Sequence, residues 1–99
     1  AGDNSAQARK AEKRRQAELR HQTQPLRKAI TKLEKDMERC QLQLAAIEQQ
    51  LADPDIYAAE HKARLQQLLK DQSPLQQQLA EAEIEWLTLQ EQLEDLEQP

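Results

Sequence analysis

The chain of 99 residues contains no valine and no phenylalanine, and only one glycine, one tryptophan and one tyrosine. A layered or sheet-rich core needs β-branched and aromatic side chains with frequent turns, and this composition supplies neither. Cys40 is the only cysteine, so an intrachain disulfide and a thiolate metal cage are both excluded, and a reducing compartment follows as the expectation. No apolar run approaches the roughly 18 residues of a membrane span, and the opening AGDNSAQARK lacks the apolar centre of a signal peptide. A cytoplasmic, membrane-free protein is expected. What is abundant is Leu, Ala, Gln, Glu, Lys and Arg, the straight-chain helix formers, in the proportions of a long helix or coiled coil.

The apolar positions carry a period. Leu26, Ile30, Leu33, Met37, Cys40, Leu44, Ile47 and Leu51 are spaced alternately four and three, a heptad seam. A second seam runs through Leu65, Leu68, Gln72, Leu75, Leu79, Ala82, Trp86, Leu89, Leu93 and Leu96. Between them ADPDIY is a stop signal: Asp53 caps a new turn and Pro54 sits at its first position, where a missing N–H costs nothing. The expected fold is all-α, an antiparallel two-helix coiled-coil hairpin over residues 25–98, with helices 26–52 and 61–97 joined by a toe at 53–60. At about 1.5 Å per residue the first helix is about 40 Å long.

Register is predicted by pairing the seams. One alignment sets Ile47 against Leu65, Cys40 against Gln72, Leu26 against Trp86 and Arg27 near Glu83, gathering the two least apolar seam residues into one layer. Sliding by one heptad brings Asp36 near Glu85, a like-charge approach, so the first alignment is preferred. Pro74 removes a backbone hydrogen bond inside the second seam, and a kink is expected near residues 70–74. Pro25 marks the start of the strong seam. Residues 1–24, polar and with Leu19 as the one large apolar residue, are expected to be a basic linker, disordered or frayed helix.

The net charge of −4 hides a division. Eleven of the fourteen Lys and Arg lie in residues 1–39, against six acids; residues 40–99 hold three bases and twelve acids. Lys28, Lys32, Lys35 and Arg39 form a stripe on the outer face of the first helix, pointing toward Arg20, Arg15, Arg14 and Lys13 if the upstream segment is helical. A row of cations at this pitch can track phosphates, whose neutralisation releases counterions; a solvated coiled-coil face is the plainer alternative. No aromatic side chain interleaves the bases, so contact would be with backbone and shape rather than with stacked or sequence-read bases.

Other features read more simply. Glu81 to Glu97 holds seven acids and no base, a solubilising face or a site for a basic partner. Glu83 and Glu85 on a rod without a pocket are not an acid–base pair. Cys40 is a core residue. His21 and His61 lack ligand spacing, and no metal is expected. Trp86 is expected to pack across the seam and cover its open end. Tyr57 and Ile56 either clamp the toe or touch a partner.

KLEKDMERCQLQLAAIEQQLADPDIY at 32–57, followed by EWLTLQEQLE at 85–94, resembles the C-terminal coiled-coil domain of ABC-F ATPases. The upstream NSAQARKAEKRRQAELRHQTQPLRK at 4–28 resembles one branch of that family. The ADP-hydrophobic-Tyr toe and the late Trp are its more specific marks. The resemblance implies a piece of a cytosolic protein that acts on the ribosome in translation, with two ATP-binding cassettes upstream and ATP and Mg expected only there. It also implies that Arg9, Lys10, Lys13, Arg14, Arg15, Arg20, Arg27, Lys28, Lys32, Lys35 and Arg39 are candidate contacts to DNA or ribosomal RNA, since a related member's domain is a DNA-binding coiled coil. The acidic second helix departs from that pattern. With Gly2 as the sole glycine, a Walker-type phosphate loop has no place in this chain, which is therefore not expected to be an enzyme or to hold a cofactor. The functional reading is a monomeric nucleic-acid-binding appendage, with a structural arm that contacts ribosomal protein or orients the ATPase domains as the alternative.

Overall fold

The computed structural model describes residues 2–98, with side chains from residue 4 onward. Two helices, α1 (Gly2–Ala52) and α2 (Lys62–Glu97), are joined by a toe of two short 3-10 turns, Pro54–Tyr57 and Ala59–His61. They lie side by side in a rod 86 × 16 × 15 Å. The hairpin follows from the two seams. Along α2 every predicted seam residue from Leu65 to Leu93 is buried or half-buried, and along α1 the same holds from Leu26 to Leu51. Leu68, at 2% exposure, is the most enclosed of these side chains, with Cys40 at 3%.

The toe is held by side chains. Asp53 adopts an extended backbone and its carboxylate accepts the Asp55 N–H at 3.0 Å, while Pro54 opens the turn. The Tyr57 hydroxyl donates to the Leu51 carbonyl at 2.7 Å, satisfying an acceptor at the end of α1 that has no helical donor. Tyr57 thus clamps the turn while leaving its ring largely exposed. Just above, Arg64 on α2 donates to the Gln50 side-chain oxygen at 2.7 and 3.2 Å, tying the two helices at their base.

Three expectations change. First, α1 does not start at Leu26; it runs from Gly2 straight through Pro25. Proline's fixed φ is compatible with a helix, and an exposed Pro25 costs one backbone bond, the donor to the His21 carbonyl. Upstream, strong helix formers are reinforced by side-chain pairs at helical spacing: Arg15 and Gln16 on Glu12, and Gln22 on Glu18. The described part of residues 1–24 is therefore helix. The seam extends into it, because half-buried Leu19 and buried Thr23 continue the four–three spacing into Leu26.

Second, the register through the middle of the rod is the slid one. Cys40 approaches Gln78, with Sγ 3.8 Å from Oε1, rather than Gln72. Gln43, Ala46 and Ile47 share a surface hollow with Asp71, Pro74 and Leu75, and Arg27 reaches Glu97 instead of Glu83. The like-charge approach that argued against this register is present, since Asp36 and Glu85 line one hollow, but Arg39 lines it too and pairs with Asp36 at 3.5 Å. Apolar matching accounts for the preference. In the slid register Leu89 and Leu93 fall beside Ile30 and Leu26; in the other they would meet Thr23 and Leu19, with Leu96 beside Gln16. Ile30 and Leu93 are accordingly buried, at 6% and 8% exposure.

Third, Trp86 lies within the seam, half-buried beside Met37, Glu83 and Leu87, and does not close the open end. Toward that end Thr23 and Leu93 are buried, at 5% and 8% exposure. Pro74 sits on the exposed side of α2, which continues as helix before and after it.

Candidate nucleic-acid interface

Because Glu97, the last residue of α2, pairs with Arg27, α1 outruns its partner. Residues 4–18 are all exposed, a single helix with nothing packed against it. This bare arm is about 22 Å long at 1.5 Å per residue. Its side chains are largely Ala, Gln, Arg, Lys and Glu, which hold a helix by propensity and local pairs rather than by burial.

All eleven candidate residues are exposed. At about 3.6 residues per turn, Lys10, Arg14, Lys28, Lys32, Lys35 and Arg39 project from the face opposite the seam. Arg9, Lys13, Arg20 and Arg27 stand along one flank. Arg15 turns toward the seam side, where it pairs with Glu12. Arg27 is engaged with Glu97 and Arg39 with Asp36, both ion pairs being partly exposed. Among the described residues the other eight make no ion pair within 4.0 Å. The structure thus gathers six of the candidates into one stripe about 44 Å long, sets four along its flank and turns Arg15 away from it.

Between Arg14 and Lys28 the same face carries Ala17, His21 and Gln24, so no carboxylate interrupts the stripe. His21, which metal-ligand spacing dismisses, is exposed in this gap; its place in the four–three pitch from Lys10 was the available signal. Lys28, Lys32 and Lys35 rim a shallow hollow that also includes Pro25 and Ala29. After Arg39 the pitch ends on Leu42, an apolar side chain 66% exposed.

Chemically, the stripe offers flexible cations and guanidiniums at steps of about 5–6 Å, a surface suited to a row of anionic groups. Among the described residues no three His, Cys, Asp or Glu side chains are grouped to hold a metal. No helix there is long and apolar enough to cross a membrane.

The profile of the family described as "ABC transporter C-terminal domain" matches residues 21–91. This chain belongs to that family. The domain is also 53% identical over 93 residues to proteins named "Probable ATP-binding protein YheS" from Escherichia coli K12 and from the O157:H7 and CFT073 strains. That stretch is 94% of the domain and 15% of each relative. The ABC-F resemblance therefore holds, and the family matched is by its description a C-terminal domain, here all-helical among the described residues. No solved structure matches it.

Proposed function

We propose that the domain holds nucleic acid, DNA or ribosomal RNA, by its backbone phosphates along the outer edge of α1. It would do so as the C-terminal appendage of an ABC-F-type ATP-binding protein acting in translation in the cytoplasm. The observation that carries this reading is the cationic stripe from Lys10 to Arg39, exposed throughout and, apart from Arg39 on Asp36, without ion partners among the described residues. Neutralising phosphates along it would release counterions, the main source of affinity for such a surface. Contacts of this kind position a duplex without reading its sequence.

The bare arm sharpens the reading. An α-helix about 10–12 Å across fits the B-DNA major groove, about 12 Å wide. The paired part of the rod is broader than that groove, so it would lie on the phosphates while the arm enters. The narrow major groove of A-form RNA does not admit the arm, leaving only backbone tracking on an RNA stem. ATP and Mg would belong to the parent protein's other domains, and the appendage would act as a monomer.

A second reading, an arm contacting ribosomal protein or orienting the ATPase domains, is supported by the toe. Asp53 and Tyr57 hold it rigidly and the Tyr57 ring stays 62% exposed at its tip. The deciding experiment is an NMR titration of the chain with a short DNA duplex and an RNA stem, at low and at physiological salt. Amide shifts confined to residues 9–39 that fade as salt rises are the expected result. Absence of shifts there at low salt would discard the nucleic-acid reading in favour of the protein-contacting arm.

A further inference from the structure

The outer face of α2 bears a feature that phosphate binding on α1 does not use. Ile84 and Leu87 are 66% and 53% exposed, and exposed Ala80 continues their line one turn back. Together they make an apolar strip about 10 Å long on the side away from the seam. Helical geometry places Glu83 along one margin of this strip and Glu81 along the other, with Glu91 at its C-terminal end and Glu85 farther round, in the hollow it shares with Glu81, Asp36 and Arg39. Among the described residues none of these four carboxylates has an ion pair; Glu81 accepts a hydrogen bond from Gln77 at 3.1 Å. Beside the strip, Met37, Glu83, Trp86 and Leu87 line a shallow hollow. The Trp86 indole N–H is buried there with no hydrogen-bond partner, and a buried donor left unpaired is costly unless something supplies an acceptor.

We propose that this acid-rimmed strip docks a basic amphipathic helix of a partner polypeptide. The partner would set apolar side chains at i, i+3 or i+4 over Ile84 and Leu87, and its flanking Lys or Arg would meet the carboxylates on both margins. An apolar centre with a charged rim is the general anatomy of such contacts. Nucleic acid and anionic lipid are repelled by the same rim. A second copy fits poorly: the basic stripe lies on α1's outer face, across the rod from the strip, so copy-on-copy contact would be head-to-tail and would propagate as open stacks.

The chain's single tryptophan stands at the site and gives a direct readout. The probe is a Trp-free helical peptide with leucines on one face and lysines on its flanks, titrated against the chain at physiological salt. Trp86 fluorescence and the amide signals of residues 80–91 are followed. Saturable changes in both are expected. Ile84→Ser combined with Leu87→Ser should weaken binding at least tenfold, and so should a peptide of identical composition with its leucines scattered around the helix. Both replaced side chains are exposed and off the seam, so circular dichroism should be unchanged.

Equal binding of the scattered peptide would overturn the proposal by reducing it to bulk charge attraction. So would unchanged affinity of the double variant, or shifts lying elsewhere. Sedimentation equilibrium adds one more arm: a mass that grows with concentration and reverts in the double variant would assign the strip to stacking of copies instead.

Discussion

Residues 4–18 and residues 19–51 belong to one helix, yet only the second stretch has a partner. Both are rich in long polar side chains, and both carry cations on the face away from α2. The covered stretch owns a seam of Leu, Ile, Met and Cys that α2 buries; the bare stretch owns none, and every one of its residues is exposed. Packing of an apolar face supplies most helical stability in proteins, and a 15-residue helix by itself is marginal in water. The covered stretch therefore sets the stability of the hairpin. The bare one contributes reach and charge. A single helix can also enter a groove that excludes the paired rod.

The dependence of the covered stretch on its partner is tested most severely in α2. Leu68→Ala removes the most enclosed side chain of the seam and should cost about 2–5 kcal/mol, read from the midpoint of a urea or thermal melt by circular dichroism. A cost under about 1 kcal/mol would mean that the seam is not what holds α1 to α2.

Pro25 lies inside the covered stretch, just after the arm joins it, and Pro25→Ala restores the donor to the His21 carbonyl. The gain should approach, without exceeding, the roughly 3 kcal/mol that an interior proline costs a helix. Hydrogen exchange should report it as slower exchange of amides on both sides of position 25. Unchanged protection upstream would show that the arm and the rod fold independently of that bond.

Replacing Arg9, Lys10, Lys13 and Arg14 together by Gln tests the arm. Duplex DNA affinity at constant salt should fall at least about tenfold, which is about 1.4 kcal/mol. The log–log salt slope should flatten by about 0.9 for each phosphate that is no longer neutralised. The melting midpoint should barely move, because none of the four is buried. A shifted midpoint with intact affinity would reverse the roles assigned to the two stretches.

The smallest effect is expected where α2 ends. Arg27→Gln breaks the ion pair with Glu97, both partners being more than a third exposed, and should cost under about 1 kcal/mol at low salt and less at high salt. A double-mutant cycle with Glu97→Gln isolates the pair's own contribution.

Both seams were legible because a spacing of four and three puts side chains on one helical face whatever lies opposite. The toe was legible for a similar reason: Asp53, Pro54 and Tyr57 act on backbone groups within a few residues of themselves. Thr23 escaped notice as a seam residue because it is polar and sits two residues before a proline. Its place in the pitch between Leu19 and Leu26 was nonetheless visible. The cationic stripe from Lys28 to Arg39 was plain from spacing, whereas its continuation to Lys10 depended on helix upstream of Pro25, where propensity and a helix breaker point in opposite directions.

Composition and spacing alone dictate an all-helical chain with two apolar stripes, a turn between them and positive charge gathered in the first 39 residues. These follow from composition and from interactions that span one or two helical turns. The register emerges only in the folded hairpin, and with it the placement of Cys40 by Gln78, Arg27 by Glu97, and Trp86 beside Met37 rather than at the open end. A heptad repeat offers a similar fit at every slide of seven, so the choice rests on small differences in which large side chains meet. The length of bare helix left beyond α2 is set by that same choice.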